Sequence, residues 1–250
     1  MNRYKASATH LFISAAVLAG FFALVFLGWY PAPYFSIEGT YNVIVVLIGV
    51  DLVLGPLLTL IIFKPNKPGL KMDLSLIALV QITALLYGAN TIYQQRPYFT
   101  VFVFNEFVVV RSPDVEKMDL TKIDPTINYK NLGPSYIYTE FPSDPAVRGK
   151  FFEDIIKAGT TIDRLPEQYR DFKSNISRSF ERSLDLEFLA DQYPGNRGII
   201  DEFIARYPEQ DDLAFFPLSG KNDAVVIVVQ RSTGEVIDYI GLNPGLREKK

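Results

Sequence analysis

The sequence predicts a membrane protein: a three-helix transmembrane bundle followed by a soluble α+β periplasmic domain. Three observations carry this. Three almost uncharged runs of about twenty residues fall within the first 93 positions, and about twenty helical residues are what a hydrocarbon core requires. Charge is divided unevenly, with five basic groups (Arg3, Lys5, Lys64, Lys67, Lys71) and three acidic ones (Glu38, Asp51, Asp73) in residues 1–94. The rest of the chain holds 20 of the 25 basic and 25 of the 28 acidic groups. Strand-like runs stand at both ends of that remainder, which at about 150 residues is long enough to bury a core. The expected domains are therefore 1–94, with helices over about 11–30, 43–63 and 74–93, and 95–250.

Leu11–Tyr30 carries no charge, Val43–Phe63 is broken only by Asp51, and Leu74–Tyr93 is again uncharged. The first run is longer than a signal-peptide core, and bulky Trp29-Tyr30-Pro31 follows where a cleavage site needs small residues. An uncleaved helix is expected. Basic residues sit in the N-terminal stub and in the Lys64–Asp73 loop, whereas Pro31–Asn42 has none. The positive-inside rule then puts the N-terminus in the cytoplasm of a bacterium and, after three crossings, the C-terminal domain on the periplasmic side of the inner membrane. Trp29, Tyr30, Tyr34, Tyr93 and Tyr98 stand where an outer aromatic belt is expected. The lipid bilayer is thus an expected partner.

Asp51 is the most informative polar residue, because an ionised carboxylate in hydrocarbon costs several kcal/mol unless it is paired, hydrated or protonated. Counting along the helices places Tyr87 at its depth and Thr83 one turn nearer the cytoplasm. Three readings stand: a hydrogen-bonded tie between the second and third helices, a contact with a polar group on a partner's helix, or part of a proton path. Pro56 removes a backbone donor, so a freed carbonyl needs another partner, and the kink either opens a groove or improves packing. Ala15, Ala19 and Ala23, with Ala84 and Gly88, are spaced four apart and permit close helix approach. Internal packing is the expectation for them, and a docking face the alternative.

The soluble part reads as a strand over Phe99–Val110, then a helix capped by Asp144-Pro145, carrying Val147, Phe151, Phe152, Ile155 and Ile156 and ended by Gly159. A longer helical region over Leu165–Gln192, a short helix over Ile199–Tyr207 and a hairpin of Asp223–Gln230 with Glu235–Gly241 follow. Tyr136, Tyr138 and Phe141 lie near prolines and read as strand or core packing, or as an aromatic patch for a partner, Tyr138 foremost.

Little chemistry is present. The chain has no cysteine and one histidine, His10, which excludes a thiolate site, a multi-histidine metal site and a Ser-His-Asp triad in the soluble domain. Ser219-Gly220-Lys221-Asn222 is not a phosphate loop, and the acidic pairs Glu153-Asp154 and Asp211-Asp212 read as solvated surface. No cofactor, metal or catalytic residue is expected. The acidic soluble part argues against nucleic acid.

The stretch Ile48-Gly-Val-Asp-Leu-Val-Leu-Gly-Pro-Leu-Leu-Thr-Leu-Ile-Ile-Phe-Lys-Pro65, with Gly69-Leu-Lys-Met-Asp73, Leu85-Leu-Tyr-Gly88, Trp29-Tyr30-Pro31 and Arg96-Pro97, resembles the type IV pilin accessory family (the TfpX/TfpZ group). The resemblance implies a chaperone-like membrane helper for a cognate type IV major pilin, acting by binding and not as an enzyme. Asp51, Pro56, Tyr87 and Tyr138 are the candidate partner-binding residues on the reading above. Two alternatives remain: a membrane sensor or transporter subunit with a periplasmic ligand-binding domain, and a membrane enzyme acting on lipid-linked sugars.

Overall fold

Helices Arg3–Trp29, Tyr41–Ile62 and Leu70–Gln94 are each long and apolar enough to cross a membrane. They belong to a computed structural model that describes residues 2–129, 132–192 and 194–245. Met1–Phe35 and Gly39–Arg96 form one unit, and Ser36–Glu38 with Pro97–Lys250 the other. The first helix starts well before its apolar run, because the Asn2 side chain accepts the Lys5 N–H and caps it. The third starts behind Gly69, whose φ of 79° suits a residue without a Cβ.

In the helical unit the second helix packs on both the first and the third. Gly88 permits the second contact: a Cβ there would lie 2.7 Å from Leu47 Cδ2. The first helix does not turn its small-residue stripe inward. Ala15, Ala16, Ala19, Gly20 and Ala23 are exposed, while Ala6, Ser14, Leu18 and Val25 are buried. This corrects the expected internal packing, and the cause is polarity. Ser7, His10 and Ser14 share the inward side, and polar groups in hydrocarbon must find partners whereas alanines need none. Tyr30 is also buried instead of lying in a belt; its hydroxyl donates to Ile92 O at 3.0 Å and ties the first helix to the third.

Among the described residues the second unit holds a seven-stranded mixed sheet: β1 (Pro97–Val103), β2 (Glu106–Arg111), β3 (Ser135–Thr139), β4 (Tyr169–Asp171), β5 (Leu213–Ser219), β6 (Ala224–Gln230) and β7 (Val236–Ile240), ordered β4-β3-β1-β2-β5-β6-β7. The pairs β1/β3 and β2/β5 are parallel and the others antiparallel. One face carries Phe99, Val101 and Ile137 beneath the Pro145–Ala158 helix, then Phe215, Val226 and Val228 beneath Leu186–Gln192 and Arg197–Arg206. Phe102, Phe107 and Phe216 form an aromatic row with Tyr138. The sheet curls until the segment after β4 meets the β6–β7 turn, where Lys173 Nζ lies 2.6 Å from Glu235 Oε1.

Three sequence expectations change here. Phe99–Val110 is a hairpin, not one strand, with its turn at Phe104-Asn105 and Phe104 at φ 58°. Leu165–Gln192 is not a continuous helix: Pro166 interrupts it, Tyr169–Asp171 pairs with β3, and Asp171 recaps the chain by accepting the Ser174 N–H. Strand pairing overrides helical propensity there. Between β2 and the terminal β6–β7 hairpin stands β5, a segment the sequence reading leaves unassigned, and it carries Pro217, a residue uncommon in a central strand. Pairing with β2 covers only Leu218 and Ser219, so Pro217 owes β2 no N–H. The Asp144 cap, with Ala146 and Val147 N–H donating to it, and the Gly159 stop at φ 63° are as read, although Val147 and Ile156 are exposed.

Candidate functional site

A polar cluster lies inside the helical unit, and its origin is backbone geometry. Residues Gly49–Leu54 form a π-helical segment in which the Gly55 N–H reaches back to Val50 O. The next donor in that series would serve Asp51 O, but it is Pro56, which has none. Gln81 of the third helix supplies the missing donor: its Nε2 gives a hydrogen bond to Asp51 O at 3.3 Å. The same amide hydrogen-bonds the Asp51 carboxyl. Gln81 lies directly on Gly55, where a Cβ would overlap its amide and come within 2.7 Å of Cδ.

His10 completes the network from the first helix. Gln81 Oε1 can only accept, so His10 donates from Nε2 at 2.7 Å, and in its neutral form takes the Thr59 hydroxyl hydrogen at Nδ1 at 2.6 Å. Ser7 Oγ donates to Pro56 O at 2.8 Å. Asp51 is 5% exposed and Gln81 8%. Between the first and third helices this cluster floors a groove of about 220 Å³, lined by His10, Ser14, Val17, Ala78, Gln81 and Asp51. A second, apolar cleft of about 360 Å³ runs between the second and third helices, with Gln81 in its wall too.

The structure thus brings Asp51 and Pro56 together and separates the other candidates from them. Tyr87 is 75% exposed on the third helix, and Thr83 spends its hydroxyl on Leu79 O. The partner at Asp51 is Gln81, which His10 in turn holds from the first helix. Tyr138 is in β3 of the other unit, half-buried, stacked on Phe102 with centroids 5.7 Å apart and 3.3 Å from Ser179 Oγ. Gln81, His10 and Thr59 were missed by the sequence reading. The available signal was Ser7, His10 and Ser14 recurring at helical spacing, with Gln81 the more deeply placed of the two amides, Gln81 and Asn90, in the third run.

In the sheet unit a charged cleft of about 400 Å³ includes Glu38, Glu106, Arg111, Asp114, Arg164 and Lys221. The segment 36–38 is held by Ile37 O, which accepts from Asn222 N at 2.8 Å and Asp223 N at 3.3 Å. Glu38 is 7% exposed and accepts the Lys221 N–H at 3.2 Å. Burial raises its pKa, opposed by that N–H and by Arg111 and Lys221, while Asp114 adds to the rise. A raised folded pKa gives stability that is complete below the unfolded value and is lost as pH rises through the folded one. Glu38→Gln is therefore expected to match the wild type in acid and to gain on it toward neutral pH, measured as the difference in unfolding midpoint across a pH series. A constant difference would refute the assignment.

A family profile described as fimbrial assembly protein FimB matches residues 1–39, the first helix and the short helix Tyr34–Glu38. The fimbrial assembly protein of serogroups C1 and C2 of Dichelobacter nodosus is 37% identical over 114 residues, 44% of this chain and 86% of that protein. This chain belongs to the fimbrial assembly protein family. Its serogroup I and E1 relatives from the same organism are 38% and 36% identical over 114 residues, and the match covers 44% of this chain and 44% of each of them. The chain thus spans under half the length of those two relatives. Membership is at the level of the fimbrial assembly family and does not reach the TfpX/TfpZ group. No solved structure matches.

Proposed function

We propose that this chain is a membrane-anchored, chaperone-like accessory protein of type IV fimbrial assembly, which stabilises its cognate major pilin or promotes its assembly by binding and without catalysis. It lies in the bacterial inner membrane, with the N-terminus cytoplasmic and the sheet unit periplasmic, as the loop charges indicate. The observation that carries this reading is the groove over Asp51, a lateral opening with a polar floor, suited to a client's transmembrane helix. Fimbrial assembly is what the relatives are named for. Asp51 and Pro56 build the groove floor, Tyr87 offers an exposed hydroxyl on the third helix, and the sheet unit with Tyr138 addresses the client's outer domain.

Deleting the gene is expected to lower pilin level or surface fimbriation by about tenfold or more, a loss equivalent to about 1.4 kcal/mol or more of client stabilisation. Immunoblots of pilin and counts of surface fimbriae measure it. Unchanged values for both would remove the proposal. A second reading, a sensor or transporter subunit, is favoured by the charged cleft around Glu38. It requires small-molecule stabilisation of the purified chain and no dependence on pilin.

A further inference from the structure

We infer that the groove between the first and third helices takes a partner's transmembrane helix that brings an N–H or O–H donor to Asp51 near the middle of the membrane. The inference rests on the helper reading and specifies what the client must carry. Asp51 is ten residues after Tyr41 and eleven before Ile62, which is about 15 Å from either end at 1.5 Å per residue. Bulk water is distant at that depth, and polar groups must be met by other polar groups.

The donors of the cluster around the Asp51 carboxyl, Gln81, His10 and Thr59, are spent on one another and on Asp51. Gln81 gives its amide hydrogens to Asp51 O and to the Asp51 carboxyl. His10 Nε2 gives its hydrogen to Gln81 and Thr59 its own to His10. What remains is acceptor capacity. A carboxyl group offers about four acceptor sites when ionised, and its carbonyl oxygen still accepts when protonated. Among the described residues Gln81 is its one hydrogen-bond donor. At Asp51 the guest must therefore donate, which selects against a lipid chain, and the Ser14 hydroxyl beside it can serve either role.

The walls suit a helix. Ser14 and Ala78, which both line the opening, are small, and this lets a guest backbone come close enough for a short side chain to reach the floor. Helices one and three are joined at this level by the His10–Gln81 hydrogen bond, while the packed interfaces of both are with the second helix. A fourth helix seated there would complete a bundle around the polar cluster.

The test places a photo-crosslinking amino acid at Val17, in the groove wall, and at Leu27, which is exposed beyond it, in cells expressing the fimbrial subunit. Val17 is expected to give an adduct with the subunit and Leu27 not. Asp51→Asn keeps an acceptor oxygen and is expected to retain the adduct. Asp51→Leu is expected to reduce it about tenfold, as for loss of one hydrogen bond to a carboxylate. Ala78→Phe fills the opening from an exposed position and is expected to do the same without disturbing the cluster, so it decides the matter if Asp51→Leu protein fails to accumulate. An adduct indifferent to both changes overturns the inference, as does an adduct formed only with lipid or with a second copy of this chain. If gene deletion abolishes fimbriae while the adduct ignores Asp51, the donor inference fails and the helper reading stands. If deletion has no effect on fimbriae, the helper reading itself fails.

Discussion

Gln81→Leu is expected to destabilise the helical unit of the full-length chain in detergent by about 2–4 kcal/mol. Three groups lose their partner together: the His10 Nε2–H, the Asp51 main-chain oxygen and the Asp51 carboxyl. At the average of about 0.6 kcal/mol measured for hydrogen bonds between membrane helices, their sum is about 2 kcal/mol. Buried groups left without partners cost about 1–3 kcal/mol each, which raises the sum. Leucine recovers a part through apolar contact with Gly55 and Leu58 along the second helix. Thr59→Val removes one bond, to His10, and is expected to cost about 1 kcal/mol or less. Unfolding in mixed micelles with added denaturing detergent compares them, and equal losses would sink the account of Gln81 as the centre of the cluster.

The same account makes a stricter demand, because Gln81 acts as a substitute for the N–H that Pro56 lacks. Pro56→Ala returns a donor to the second helix. Gln81→Leu is then expected to cost less in the Pro56→Ala background than in the wild type, with a coupling of about 1 kcal/mol in a double-mutant cycle. Additive losses would mean that the proline and the glutamine are neighbours without being partners.

Depth was legible in the sequence, and azimuth was not. The three helices are long apolar runs of the length a hydrocarbon core requires, so their existence could be read from composition. Counting residues set Tyr87 level with Asp51, but helix rotation turns Tyr87 outward and Gln81 inward. The alanine stripe misled for a related reason: four-residue spacing permits close packing on either side and does not say which side is used. The inward side is chosen by Ser7, His10 and Ser14. Pro56 did announce an orphan carbonyl, though not that an amide from another helix would cap it. In the sheet unit the Asp144 cap, the Gly159 stop and the β6–β7 hairpin were legible because they are local. β5 was left unassigned, and its Pro217 fits the sheet only because β2 pairs no further than Leu218 and Ser219. Nothing local marked Glu38, since its burial depends on residues about 180 positions away.

Phe102→Ala is expected to cost the sheet unit about 3–5 kcal/mol, a large share of the 5–15 kcal/mol that holds a typical domain. Phe102 is 1% exposed and meets Phe107 and Phe216 with ring centroids at 5.0 Å and Tyr138 at 5.7 Å, linking the rows of β1, β2, β3 and β5. Phe102→Leu keeps most of the volume and is expected to lose about 1.5 kcal/mol or less. Phe104, two residues on, is the informative contrast. It is exposed at the hairpin turn, stacked on Phe141 at 4.4 Å, and its φ of 58° is one that a bulky residue holds at a cost. Phe104→Gly relieves that cost while losing the ring contact, so its net effect is expected to be about 1 kcal/mol or less. Amide exchange along β1 and β5 during denaturant unfolding of the intact chain reads both. If Phe104→Gly proved as damaging as Phe102→Ala, the turn and not the aromatic row would be what organises the sheet.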